Sequence, residues 1–87
     1  MQRVSDETIA AQIERLVGEE HRLRTREESD SHNQDALDEN RRRLDEVEVE
    51  LDRCWDLLRQ RRALRNVGAD PEDAQVRDAD TVERYLQ

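Results

Sequence analysis

A few residues in this chain belong to types that ligate, catalyse or recognise, and their spacing decides what each can do. Glu19, Glu20 and His21 together offer the carboxylate and imidazole donors that hold metals inside helical bundles. Such sites use a Glu and a His three residues apart, both facing inward. Adjacent helical residues point about 100° apart, so this run predicts surface ion pairing and no metal site. His32 lies in a polar stretch with no second ligand beside it and reads as solvated. Cys54 is the only thiol, so one chain can form neither an internal disulfide nor a cysteine-based metal site, which fits a reducing compartment.

Basic residues concentrate at Arg41–Arg43 and again at Arg59, Arg61, Arg62 and Arg65, the second group close to Trp55. Arginine beside an aromatic ring suggests contact with phosphate or with an acidic partner. Both stretches wind around a helix instead of forming one stripe, which favours a solvated, salt-bridged face. Trp55 itself reads as the edge of a helix seam, covered by the first helix or by Tyr85 and Leu86. Its alternative role is a partner contact together with Arg59, Arg61 and Arg62, because Trp and Arg are enriched among interface hot spots. The sequence has no glycine-rich phosphate loop, no nucleophile with a matching base and acid, and no inward carboxylate pair. The expectation is a protein that is not an enzyme and has no catalytic residues, cofactor or metal.

The elements that would carry these residues must fold from 87 residues, of which 33% are hydrophobic and 44% charged. A chain this short buries only about two thirds of its unfolded surface. All 15 basic residues are arginines and 23 are acids, for a net charge of −8. That field repels phosphate backbones and anionic lipid, so nucleic acid is disfavoured as a partner and no membrane partner is expected. The polar start and the lack of a long apolar run give no leader or membrane span, which makes the cytoplasm the expected location.

Hydrophobic periodicity supplies the architecture. Ser5 followed by Asp6 and Glu7 predicts a helix start. Ile9, Leu16 and Leu23 recur every seven residues with Ile13 between them, which predicts a first helix over about 5–26. The polar run 27–34 reads as a hairpin loop. Leu37, Leu44, Leu51 and Leu58 then form a strict heptad, with Val47 and Cys54 at the alternate seam position and Asn40 and Arg61 at its two ends. This second helix is expected over about 35–66, ended by Gly68 and Pro71. On it, Asp38 with Arg42 and Glu39 with Arg43 are spaced as ion pairs, and Glu20 on the first helix is placed to meet Arg61 or Arg62. The tail, 67–87, is acidic and then carries Val82, Tyr85 and Leu86 on one face of a short helix able to dock on an overhang of the second helix.

The segments EEHRLR (19–24), CWDLLRQRRA (54–63) and VERYLQ (82–87) resemble a family of short actinobacterial proteins classed as a domain of unknown function. The resemblance spans nearly the whole chain. It implies a complete small protein and brings no activity, cofactor or catalytic residue with it.

The reading is therefore all-α: one domain, 1–87, built as an antiparallel helical hairpin with a short C-terminal helical segment. Two hairpins would bury their exposed stripes as a dimeric four-helix bundle. The runner-up is a monomer whose C-terminal segment folds back over the seam. In function the chain reads as a structural or regulatory interaction module, self-associating or binding another protein through Ile9, Ile13, Leu16, Leu23, Leu37, Leu44, Val47, Leu51, Cys54 and Leu58. The alternative is an anion or nucleic-acid binder that uses the Arg cluster. Circular dichroism should show a predominantly helical spectrum and one cooperative thermal transition, with a midpoint that rises with protein concentration. A coil-like spectrum at moderate concentration would remove the architecture.

Overall fold

The computed structural model describes residues 5–29 and 32–86, the side chains of 83–86 excepted. Helix α1 spans Asp6–Ser29, helix α2 spans Gln34–Asn66, a 3₁₀ turn covers Pro71–Asp73, and helix α3 spans Ala79–Leu86. Among the described residues there is no strand. The molecule measures 54 × 26 × 21 Å, close to the length of α2 alone at about 1.5 Å per residue.

Each helix end has a chemical cause. The Ser5 hydroxyl accepts from the Thr8 amide at 3.2 Å, and the Thr8 hydroxyl accepts in return from the Ser5 amide at 2.9 Å. This reciprocal pairing satisfies two of the amides that a helix start leaves open. Asn33 caps α2 through its side-chain oxygen, which accepts from Ala36 N at 3.2 Å. At the far end Gly68 takes φ +75°. The Ala69 amide reaches the Leu64 carbonyl at 2.8 Å and the Gly68 amide reaches Arg65 at 3.1 Å. That is the left-handed glycine closure of a helix, which a side chain at this φ would strain. The 3₁₀ turn and α3 are capped in the same way, by Asp70 and Asp78, whose carboxylates accept from Glu72 N at 2.9 Å and Thr81 N at 2.8 Å.

The helices α1 and α2 pack as an antiparallel hairpin around one apolar cluster. Ile9, Ile13, Leu16 and Leu23 meet Val47, Leu51, Cys54 and Leu57, with Leu44, Leu58 and Ala74 packed against its edge. Two expectations change here. α1 continues to Ser29, beyond the expected end near Arg26, and Glu27 within it pairs with Arg41 at 3.2 Å. The seam also rotates toward its C-terminal end. Leu57 is buried and Leu58 only half-buried, because α2 there packs against a second neighbour as well as α1. At the loop end Leu37 is half-buried, and the side-chain nitrogen of Asn40 is buried without a hydrogen-bond partner.

That second neighbour is the C-terminal segment. After the glycine stop the chain returns along α2, where Gln75 meets Gln60 and Arg77 meets Asp56 and Arg53. The 3₁₀ turn and α3 both pack on α2. Val82 is fully buried. The tail thus occupies a flank of α2, not an overhang beyond α1, because α1 already reaches the level of Arg61 and Arg65 through Asp6. The expectations for Tyr85 and Leu86 lie outside the described side chains.

Leu51 belongs to the buried cluster, whereas Leu37, expected in the seam, is half-buried near the loop and outside that cluster, so the same truncation should cost them differently. Leu51→Ala should destabilise by about 2–4 kcal/mol, and Leu37→Ala by about 1 kcal/mol or less. Urea unfolding of the two variants beside the parent checks this, and equal losses would show that the packing centre is misplaced.

Candidate functional site

Three groups of polar side chains frame the hairpin. The first locks its register. Arg43 donates from Nε to Glu19 at 2.6 Å and from Nη2 to the other Glu19 oxygen at 3.0 Å. On the opposite edge of the seam Arg24 meets Glu48 at 3.0 Å and Glu20 at 3.8 Å. The Arg43 guanidinium holds the Glu19 carboxyl below the usual glutamate range, and Glu19 with Glu46 raises Arg43 in turn. These contacts correct two expectations. Arg43 reaches across to α1 and along α2 to Glu46, and Glu20 pairs with Arg24 in its own helix. Antiparallel pairing sets Arg61 level with Asp6, well beyond the reach of Glu20.

The second group ties down the C-terminal segment. Asp56 is completely buried, a residue whose charge no motif or periodicity singles out. Its carboxylate accepts from Arg77 Nε at 2.8 Å, from Arg77 Nη2, and from Gln60 Nε2 at 2.9 Å, with Arg59 within 3.5 Å. Gln60 Nε2 also donates to the Gln75 carbonyl at 2.7 Å, and Arg53 donates to the Arg77 carbonyl at 3.0 Å. Bidentate pairing with Arg77 is the main force holding the Asp56 carboxyl below its usual range, against the opposing effect of burial.

The third group is the terminal Arg cluster. Arg61 is 7% exposed. It donates to Asp6 at 2.7 Å and to the Pro71 carbonyl at 3.2 Å, with Glu72 at 3.7 Å. Arg65 meets the other Asp6 oxygen at 2.8 Å, and these two arginines, Arg65 foremost, lower the Asp6 carboxyl. Arg62 is exposed. The cluster is thus a junction between the start of α1, the end of α2 and the 3₁₀ turn.

The remaining expected site residues fall in two places. Cys54 is buried, and desolvation, with Glu50 adding to it, pushes its thiol above the usual range. It borders an open cleft of about 220 Å³ with Ile9, Gln12, Leu57 and Val76. Trp55 is the clear departure: it is 52% exposed, covered by neither α1 nor the described tail. The two edges of the seam explain why. Trp55 is seven residues after Glu48, and Val17 seven before Arg24, so both lie on the Arg24–Glu48 edge. Gln12 and Glu50 are seven from Glu19 and Arg43, and they line the cleft that Val76 closes on the other edge. One edge therefore carries the returning tail. The other keeps Trp55 and Val17, 47% exposed, beside half-buried Leu44 and Leu58. His21 and His32 are exposed. Among the described residues no three of His, Cys, Asp and Glu converge on a point, and no helix is long and apolar enough to cross a membrane.

The sequence profile of a family described as protein of unknown function, DUF2630, matches residues 5–87. The chain belongs to that family. Uncharacterized proteins of Mycobacterium tuberculosis and Mycobacterium bovis are each 48% identical to it over 81 residues, covering 93% of this chain and 90% of the relative. No solved structure matches. The resemblance in the segments 19–24, 54–63 and 82–87 is thus a family relationship, and the actinobacterial relatives are consistent with it.

Asp56 makes stability depend on pH in a defined direction. Its folded pKa lies below the unfolded value of about 3.9, so its contribution is complete above that value and is lost as pH falls through the folded pKa. Asp6 and Glu19 act in the same direction. Asp56→Asn should cost about 2 kcal/mol near pH 7, and the gap from the parent should narrow by pH 3. Urea midpoints at the two pH values measure it, and a variant as stable as the parent at pH 7 would show that Asp56 does not anchor the tail.

Proposed function

We propose that this protein is a small non-catalytic interaction module whose working surface is the open edge of the hairpin, and that its first partner is a second copy of itself. One observation carries the reading: Trp55, the chain's single tryptophan, stands half-exposed on the edge that the tail leaves bare. Val17, Leu44 and Leu58 extend that surface along both helices. Exposed apolar groups gathered on one face mark contact surfaces, and tryptophan contributes most per residue when a partner buries it. Packing two hairpins edge to edge makes a four-helix bundle that takes these side chains out of water.

The location of the surface differs from the seam expected at first. Val47, Leu51 and Cys54 are already buried by α1 of the same chain. Association through them would require the hairpin to open. The open edge asks for no such rearrangement.

Anion binding by the Arg cluster has weaker support. Arg61 is spent on Asp6, Glu72 and a backbone carbonyl, and Arg65 and Arg59 already lie beside carboxylates. The net charge of −8 opposes a polyanion as well. We assign no reaction, metal or cofactor to the chain, and a reducing cytoplasm suits its single shielded thiol.

Sedimentation equilibrium over a concentration series should report a reversible dimer for the parent. Trp55→Glu should be monomeric at the same concentrations while keeping its helical circular dichroism, because the residue is not part of the hairpin core. A parent that stays monomeric up to about 1 mM, the weak end of specific association, would overturn the proposal.

A further inference from the structure

The charges that border Trp55 set how two copies would meet, an arrangement that rests on the interaction reading. Glu48 lies seven residues before Trp55 and Arg62 seven after, so all three fall on one stripe of α2. Beside that stripe, Asp52 lies three residues before Trp55 and Arg59 four after. Within one heptad of Trp55 the open edge of α2 is thus acidic on one side and basic on the other, Glu48 and Arg62 at equal spacing and Asp52 and Arg59 within one residue of it. Glu48 is held at this edge by Arg24 at 3.0 Å, Arg62 is exposed, and Asp52 is half-buried. Arg59 is half-exposed with Asp56 of its own chain at 3.5 Å, so that Glu48 and Arg62 are the deciding pair.

The geometry points to an antiparallel homodimer whose two-fold axis passes beside Trp55, with Glu48 of each copy facing Arg62 of the other and Asp52 facing Arg59. An isologous two-fold pairs a surface with itself, so the sequence on one side of the axis must complement that on the other. Trp55 then meets its own copy at the centre, and each unlike pair is made twice. Charges flanking an apolar seam set helix orientation and register in this way. Competing arrangements fail on the same residues. Parallel pairing sets Glu48 against Glu48 and Arg62 against Arg62. Sliding the copies by one heptad in one direction puts Arg62 against Arg41, and in the other carries Glu48 past Asn66, where α2 ends. The first helices agree with the centred register. The pairs Asp6–Arg61 and Glu27–Arg41 place Ile13 level with Trp55, and Ala10 and Val17, both exposed, lie about evenly to either side of it.

The test uses charge reversal in the full chain, read by sedimentation. Glu48→Arg and Arg62→Glu should each raise the dimer dissociation constant by about ten-fold or more, since every copy then presents like charges to itself. The double variant should recover to within a few-fold of the parent. Positions 48 and 62 are about 21 Å apart along one helix, so no contact within a chain can produce that recovery. Mixing the two single variants is a second, independent measurement. Each repels itself, yet an E48R chain facing an R62E chain has both pairs restored, and a heterodimer should form with near-parent affinity. Helical circular dichroism of every variant shows that the hairpin is intact. A parent that dimerises while neither the double variant nor the mixture recovers would overturn this register and leave self-association standing. A parent that does not dimerise would overturn both.

Discussion

The structure depends on a narrow apolar contact between two helices that are otherwise dominated by charge. Ile9, Ile13, Leu16 and Leu23 supply one side, and Val47, Leu51, Cys54 and Leu57 the other. At about 1.5–3 kcal/mol for each side chain taken fully out of water, these eight residues must offset the ordering of a chain in which 44% of residues are charged. The ion pairs along the two edges of the seam do not replace that burial. Pairs such as Arg24–Glu48 are solvent-exposed and individually weak. What they fix is alignment, since a one-residue slip of α1 along α2 would separate Arg43 from Glu19 and Arg61 from Asp6 together.

The second consequence of so thin a core is that α2 has to serve two neighbours. Its Leu51 side faces α1, and its Asp56 and Gln60 side receives the returning tail. The tail brings Val82 as its apolar anchor and Arg77 as its polar one. A buried aspartate inside a marginal core is costly unless its oxygens are satisfied. Here both are, by a guanidinium fork and a glutamine amide, so the charge gives the tail a defined docking position.

Much of this was legible in the sequence, and the reasons are specific. The heptads Ile9, Leu16, Leu23 and Leu37, Leu44, Leu51, Leu58 encode which faces meet, because a seven-residue apolar repeat has few other uses on a helix. Ser5 and Gly68 mark ends through local chemistry alone. What could not be read was anything decided by contacts distant in sequence. No periodicity distinguishes Asp56 from the other charges of α2, and its partner Arg77 lies 21 residues away in a stretch without periodicity. Arg61 was placed at a seam position, but its partner followed from the register of the hairpin, which the edge pairs mark. Trp55 was expected under cover because large rings usually are. Only the choice of edge taken by the tail leaves it bare, and the feature that hinted at this choice, Val82 with an arginine five residues before it, is too sparse to stand out.

The layering of the molecule sets the order in which it comes apart. Among the described residues the backbone of α3 approaches α2 and not α1, so the tail can detach while the hairpin stays closed, whereas losing α1 dissolves the cluster that gives α2 its shape. Openings of that kind differ in free energy, the outer one lying below the global one. Backbone amides in the tail should therefore trade hydrogen with solvent through a shallow, independent fluctuation, and those around Val47 and Leu51 through whole-chain unfolding alone. A protease would meet the same hierarchy, finding the junction after Gly68 before it found anything in the helices.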